Sequence, residues 1–542
     1  MKVRIQLLLK DYFSEINWRL LLFLILFLNV KLVIKVAALL LFCLFELKIF
    51  SKKSYLKQGP IFFYLSMIGI ALLNSLISFS SLSAPYLLVI VVGCGFWVMC
   101  ILALLLSHRF AEKTNVEILD NTITLFFIVN AIITLLQLIF IIFDSGAINP
   151  YTYQGMHQKY FINTGDRLYG ISFDTSTTNA LLNAFGIIYF FSKKKIKMVL
   201  FCTIILLLTA SNLTNLLLTA LLTGFFFFQG NRNKKSIIVI CLFLMVIFFA
   251  RISPQNNQYI SEAYKRFFNK TTSSQVRKVD NIPIKEKPDS LLTTEEKKQK
   301  IAEQYLDSVR IVLSKKTKGS PTANRNLIMS LPKPNIHSEP YQRSRETTNL
   351  QKELLLYSRK NGIGLEEDLQ VLKKTPGKII AFKQTFDFLK THPKQLILGN
   401  GLGNFSSKLA FRATTLEVAG GYPKKIPYLN ADFKNNHLKL YLSYFSKDVE
   451  LHSLVNSPDS VYNQLAGEYG LIGLLSFFIF YIGYFFKNRQ KYSHTIPMLL
   501  LLLATLTSGY WFEQLSIVVL FELIMAVGMK ESKEKTELDH HE

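Results

Sequence analysis

The stretch S457-P-D-S-V-Y-N-Q-L-A-G-E-Y-G-L-I-G473 decides how this chain is read, because it begins as a polar loop and runs unbroken into the apolar helix Leu471–Phe486. Upstream lie roughly two hundred polar, basic residues, Ser253–Val455, and apolar runs frame them on both sides. A charged domain framed in this way is fixed at one membrane face, with its last polar residues entering the bilayer. A channel or an anchor has no evident use for that arrangement. An enzyme acting on a substrate half in lipid and half in water does.

Composition agrees. Half of the 542 residues are hydrophobic, with 44 phenylalanines and 24 tyrosines, yet the formal net charge is +25. These values conflict for a water-soluble protein and fit a polytopic membrane protein with basic rims. The cysteines, Cys43, Cys94, Cys100, Cys202 and Cys241, all lie in apolar runs, which argues against a disulfide framework or a cysteine metal site. The first apolar run is followed at once by another and lacks a small-residue cleavage site, so it reads as a retained span.

Twelve spans are expected, at about 17–31, 33–50, 60–81, 85–107, 121–143, 175–192, 196–210, 212–229, 236–252, 460–486, 495–509 and 511–529. Lys and Arg recur where even-numbered spans end: Lys52, Lys53 and Lys57; Arg109 and Lys113; Lys193 to Lys195; Arg232, Lys234 and Lys235; Lys487, Arg489 and Lys491; Lys530, Lys533 and Lys535. The N-terminus carries Lys2, Arg4 and Lys10. The positive-inside rule then places both termini in the cytoplasm and the large loop outside. Three regions follow: spans 1–9 in residues 1–252, the external loop 253–455, and spans 10–12 with a cytoplasmic tail in 456–542.

The loop carries roughly +15 net charge. Either it is an ordinary solvated surface, or it concentrates anions such as a lipid-linked substrate. Nucleic acid is excluded as a partner, since an external membrane loop does not meet it. Residues 271–340, rich in Lys, Ser, Thr, Asn and Pro, read as weakly ordered. In K378-I-I-A-F-K-Q-T-F-D-F-L-K390 the apolar residues Ile379, Phe382, Phe386 and Leu389 recur with helical period. This helix should lie along the membrane or cap the bundle, and end before Pro393. L396-I-L-G-N-G-L-G-N-F-S-S407 follows, either a plain turn between helices or a nest of amides for a phosphate.

No Walker loop, H-E-x-x-H, G-x-S-x-G or cluster of metal ligands appears, so neither metal nor cofactor is expected. Candidate acids and bases gather where the loop re-enters the membrane: His452, Asp459 and Glu468, with His437 as an alternative base. Glu468 shares a helix face with Gln464 and Ser460, and an ionisable residue inside a span marks either a functional site or a packing hydrogen bond. In R167-L-Y-G-I-S-F-D-T-S-T-T-N179, Arg167 is placed to grip phosphate in a bidentate manner, and Asp174 opens a span. A simple cap beside an interfacial arginine is the plainer alternative. T209-A-S-N-L-T-N215 forms another polar turn on the same side.

Taken in order, R167-x-x-G170 with F173-D174, the polar turn, G377-K378 ahead of the amphipathic helix, L398-G-N-G-L-G-N-F405 and E468-Y-G-L-I-G473 resemble the O-antigen ligase and O-antigen polymerase family. The resemblance implies an all-α, polytopic, GT-C-like membrane bundle of about twelve spans with a large, partly helical periplasmic loop. It also implies a bacterial inner-membrane enzyme that works without metal or nucleotide sugar. Such an enzyme moves a glycan from undecaprenyl diphosphate to a sugar or lipid A-core acceptor. Where ligases of this family often carry a His-Asn pair, this chain has Asp459 and Ser460; Lys378 and Ser211-Asn212 stand where arginine is frequent.

On that reading Arg167 and Lys378, with Asp174, attend the diphosphate, and His452 or Asp459 takes the acceptor proton while Glu468 orients the acceptor or its helix. Two other classes compete. A flippase for lipid-linked sugars predicts inverted repeats and polar residues near mid-bilayer, whereas here no repeat is visible and the polar residues crowd one rim. A non-catalytic assembly protein would tolerate loss of Arg167 and Glu468. For the topology, a cysteine placed at Ser320 should react with a membrane-impermeant thiol reagent in cells whose outer barrier is opened. Labelling only after lysis would overturn it.

Overall fold

The computed structural model describes residues 15–46, 58–77, 83–146, 148–152, 168–228, 231–252, 300, 349–364, 375–445, 454–489 and 495–539. Arg167, His452 and, apart from residue 300, the 271–340 stretch lie outside the described residues. Every described element is helical, and the one strand-like contact is a parallel bridge between Ser460 and Gly509.

The N-terminal group comprises α1 (Trp18–Phe27), α2 (Leu32–Phe45), α3 (Gly59–Ile77), α4 (Ala84–Lys113), α5 (Val116–Ser145), α6 (Ser176–Ser192), α7 (Ile196–Leu208), α8 (Asn212–Phe228) and α9 (Arg232–Ile247). The loop contributes α10 (Asn349–Lys360), α11 (Gly377–Thr391), α12 (Pro393–Leu398), α13 (Lys408–Ala413), α14 (Ala431–Asn435) and α15 (His437–Tyr444). The chain then re-enters the bundle as α16 (Val461–Ser476), continued by a π turn into α17 (Gly483–Lys487), and finishes with α18 (Thr495–Thr505), α19 (Trp511–Gln514) and α20 (Ser516–Asp539).

Among the described residues, five helical stretches are long and apolar enough to cross a membrane: Gly59–Ile77, Ala84–Lys113, Val116–Asp144, Arg232–Ile252 and Val461–Lys487. Shorter apolar helices pack around them. In an apolar medium a helix satisfies its own backbone except at the ends. Those ends carry side-chain caps: Asn17 accepts from the Leu20 amide, Ser83 from Tyr86, Thr175 from Thr178 and Asn231 from Asn233.

The ion pairs sort the helix ends. Glu46, after α2, meets Arg109 and Lys113 of α4; Lys193, after α6, meets Glu531 of α20 at 2.5 Å; Lys195 meets Asp120 of α5 at 2.6 Å. These groups share one end of the bundle, and the loop helices occupy the other. Between the ends, α6 is buried on every side, and Phe63, Trp97, Phe477, Tyr481 and Phe512 form one aromatic cluster. Glu522 of α20 accepts hydrogen bonds from Tyr64 at 2.5 Å and Tyr481 at 3.0 Å inside it.

One expected span is corrected. Instead of a continuous helix over 511–529, the chain makes the short turn α19 and restarts at Ser516. The break follows from left-handed backbone at Gly509 and Leu515, with Glu513 turned to accept the Leu409 amide. The helix expected from Lys378 to Lys390 is present as α11 and stops before Pro393.

The loop is locked to the bundle by backbone contact. The Asn400 and Gly401 amides donate to the carbonyls of Gly467 and Glu468, and Leu402 fills the space over Gly93 of α4. Gly399 and Gly470 face one another with φ of +79° and +65°. A Cβ on Gly399 would lie 2.2 Å from the Glu468 carbonyl carbon, and one on Gly470 would lie 2.5 Å from the Gly399 nitrogen. Gly399→Ala and Gly470→Ala should each cost on the order of 2 kcal/mol or more. Gly69→Ala, on α3 with nothing within 4 Å of its Cβ, should be neutral or stabilising. Thermal unfolding in detergent checks all three, and equal midpoints would refute the lock.

Candidate functional site

The loop-side ends of α1, α2, α6 and α20 meet α13 around a small, partly open cleft. Lys35, Asp174, Lys408, Arg412, Glu513, Gln514 and Ser516 supply its polar lining, and Leu28, Val30 and Leu32 its apolar wall.

Each wall has a local cause. The turn carrying Asp174 is held by amide side chains buried among the helices. Asn130 Oδ1 accepts from the Ile171 amide at 2.9 Å, and Asn179 Nδ2 donates to the Leu168 carbonyl at 2.8 Å. Gln137 exchanges two bonds with the backbone of Gly170. Asp174 then accepts the Thr178 hydroxyl at 2.9 Å, and the Ser172 carbonyl accepts the Val30 amide, which fixes the α1–α2 turn beside it. Opposite, Ser407 caps α13 through the Ala410 amide, so Lys408 and Arg412, at i and i+4, project from one face. Glu513 is engaged from two sides, by the Leu409 amide at 2.8 Å and by Gln464 Nε2 at 2.6 Å.

Burial lowers both Lys408 and Arg412 from their ordinary pKa values. Asp174 and Glu513 oppose that shift at both cations, and Asp459 does so at Lys408. Among the described residues neither cation forms an ion pair. Arg412 Nε, Gln514 Oε1 and Ser516 Oγ are buried without a hydrogen-bond partner. Buried polar atoms are rarely left so. A cleft with surplus donors, two uncommitted cations and a third, Lys35, bonded to the Phe27 carbonyl is suited to an anion that also bears hydroxyl or oxygen acceptors.

The residues expected to act divide by position. Asp174 lines the cleft, and Asp459 lies close enough to influence Lys408. Asp459 keeps Oδ1 buried and unpartnered, with the Tyr441 side chain beside it; burial first and Asp459 second raise that phenol well above its usual range. Lys378 is committed elsewhere. Its Nζ donates to the carbonyls of Asp459 at 2.6 Å and Ser457 at 3.3 Å, and its amide donates to Val455. Burial lowers its pKa to about 8 against the pull of Asp459. Lys378 therefore clamps α11 to the segment that opens α16.

Glu468 and the glycine-rich turn answer one another. Glu468 Oε1 accepts from the Ser406 amide at 3.2 Å and from Phe405 at 3.5 Å. The amides offered by sequence to a phosphate are thus taken by the chain's own carboxylate and by the carbonyls of Gly467 and Glu468. His437 is wholly buried, with Nδ1 2.7 Å from Ser406 Oγ and Nε2 3.2 Å from the Ala381 carbonyl. Ser406 Oγ in turn lies 3.0 Å from the Tyr510 hydroxyl. As the neutral tautomer, His437 donates from Nε2 and accepts the Ser406 hydroxyl at Nδ1.

Sequence reasoning passed over Lys35, Lys408, Arg412 and Glu513. The available signals were K408-L-A-F-R412, a basic i,i+4 pair directly after the glycine-rich turn, and single charges early in the apolar runs at 32–45 and 511–529. Among the described residues no three His, Cys, Asp or Glu side chains gather as a metal site. Neither a protein-family model, a curated protein nor a solved structure matches the chain.

Burial lowers His437 from 6.5 to about 4, opposed by the Ala381 carbonyl. Below pH 6.5 the unfolded chain takes up a proton that the folded chain refuses. Stability contributed by this site is therefore full above about pH 6.5 and declines toward pH 4, by on the order of 3 kcal/mol. His437→Gln should flatten that part of the stability–pH profile relative to the parent. An unchanged slope would remove His437 as its source.

Proposed function

We propose that the protein is a membrane glycosyltransferase of the O-antigen ligase or polymerase type. It moves a glycan from an undecaprenyl-diphosphate carrier to a sugar acceptor at the membrane face that bears the loop. One observation carries this reading: Lys408 and Arg412, uncommitted and close to Asp174 and Asp459, stand at the loop-side ends of apolar helices. At that depth a lipid-linked diphosphate has its charge beside the cations and its tail in the bilayer. A soluble anion would need no such placement.

The chemistry follows from the charges. The bond between the donor's anomeric carbon and the diphosphate oxygen breaks, and the electron pair leaves with the diphosphate. Lys408 and Arg412, aided by Lys35, stabilise that developing charge. An acceptor hydroxyl oxygen forms the new bond to the anomeric carbon, and its proton passes to the Asp459 carboxylate, which lies beside the Tyr441 hydroxyl. The Asp174 carboxylate favours the charged forms of Lys408 and Arg412 against their burial. Lys378 and Glu468 position the two segments that carry these groups.

The test is glycan transfer in membranes supplied with lipid-diphosphate glycan and acceptor. Arg412→Ala should lower the transfer rate about 10²–10³-fold, in the range seen when one preorganised charge-stabilising donor is removed. Asp459→Asn should lower it about 10²–10⁴-fold. Both variants should accumulate at parental levels, and Arg412→Lys should retain more activity than Arg412→Ala. Parental rates in both Arg412→Ala and Asp459→Asn would overturn the proposal. Movement of the donor across the membrane without transfer would favour a flippase.

A further inference from the structure

The periodic stripe of α11 turns largely away from the bundle, with Leu389 alone of its four residues half-buried. Its packed face is Ala381, Thr385 and Phe388, with Thr385 bonded to Asn463 of α16 and the Phe388 ring tilted against Phe405 at 4.6 Å. Ile379, Phe382 and Phe386 are instead 42%, 40% and 69% exposed. In α12, Leu396 and Ile397 are 41% and 54% exposed. Five large apolar side chains in two consecutive helices thus turn much of their surface away from the protein. The exposed charges among them are Lys383, Lys390 and Lys394 against Asp387 alone.

Depth identifies what covers them. Helix α3 has 19 residues and is about 28 Å long, close to the roughly 30 Å hydrocarbon thickness of a bilayer. The Leu398 carbonyl accepts from Asn74 Nδ2 at 2.7 Å. Asn74 lies one turn, about 4.5 Å, before the loop-side end of α3 at Ile77. The Ile397 backbone abuts Gly470, where α16 kinks between its first part, from Val461, and the apolar second part that begins at Leu471. Beside these contacts lie the exposed Leu72, Leu73 and Leu76 of α3 and Leu471, Ile472 and Leu475 of α16, within stretches long enough to span the membrane. The free face of α12 continues that belt.

We infer that α11 and α12 form a wedge immersed in the leaflet on the loop's side, with Ile379, Phe382, Phe386, Leu396 and Ile397 among its acyl chains. Lys383, Lys390 and Lys394 lie at the level of the anionic headgroups. The occupant of this face is bilayer lipid. Its apolar and basic make-up matches an amphipathic membrane-surface helix, and its contacts hold it below the helix ends. The loop is therefore anchored by its own membrane insertion as well as by the flanking spans, and this holds whatever reaction the cleft performs.

The full-length protein, in nanodiscs of phosphatidylethanolamine and phosphatidylglycerol, carries p-benzoylphenylalanine in place of Phe386, Ile397, Leu475 or Lys424. After irradiation, intact mass reads the adducts. Phe386 and Ile397 positions should acquire phospholipid mass at yields approaching the lipid-facing Leu475 position, and at least tenfold above the exposed loop position Lys424. Yields at both test positions no higher than at Lys424 would overturn the inference. So would crosslinking of either to a second copy of the chain in place of lipid.

Discussion

A carboxylate buried inside an apolar helix is costly unless it is hydrogen-bonded, and Glu468 Oε1 is held by backbone amides from another part of the chain. Much of the loop-side architecture depends on that exchange. By fixing the amides of Phe405 and Ser406, Glu468 orients Ser406 toward His437 and Tyr510, and places Ser407 to cap α13. The cap sets the direction in which Lys408 and Arg412 project. The glycines on both sides make this approach possible, because Gly399, Gly467 and Gly470 have no room for a side chain where loop and helix touch. The cationic wall of the cleft is thus positioned by a carboxylate that does not line it.

The opposite wall is held by different means. Asp174 follows a turn whose backbone is bonded by Asn130, Gln137 and Asn179, side chains expensive to bury unless each is matched. Their matching partners are backbone groups of Leu168, Gly170 and Ile171, so the network specifies one conformation of the turn. Two rigid walls with opposed charge then face one another across a gap in which Arg412 Nε, Gln514 Oε1 and Ser516 Oγ remain unmatched. Other buried polar atoms, such as those of Asn215 and Gln464 Oε1, are also unmatched, but these three share one cleft with two cations. The anion proposed for the cleft would complete their bonding.

The features legible in the sequence were those with strong local signals. Apolar runs announced the membrane helices, and the 3.6-residue period announced α11 together with its stop before Pro393. Two of the residues in the basic exits, Arg109 and Lys193, meet the acidic side chains Glu46 and Glu531 at one end of the bundle. Asp174 and Asp459 were singled out and lie at or near the cleft. Long-range pairing was not legible. Lys378 looks like a free cation until its Nζ is found on the carbonyls of residues 457 and 459, about eighty positions away. The glycine-rich turn looks like an anion nest until Glu468 is found occupying it. The break at Leu515 depends on Glu513 being drawn to the Leu409 amide, a contact no local pattern encodes.

The same distinction explains why α11 is both cap and anchor. Sequence periodicity identifies an apolar stripe but not the medium that covers it, since hydrocarbon and protein core look alike to a hydrophobic pattern. Here the stripe that repeats most regularly is the one the bundle leaves free, and the face that packs is the mixed one, Ala381, Thr385 and Phe388. Small and polar residues suit close helix contact, where a hydroxyl such as Thr385 finds partners in Ala381 and Asn463. Large apolar residues gain nothing by packing on protein that lipid does not already supply. The amphipathic pattern of a membrane-end helix therefore points outward, the reverse of its meaning in a protein surrounded by water.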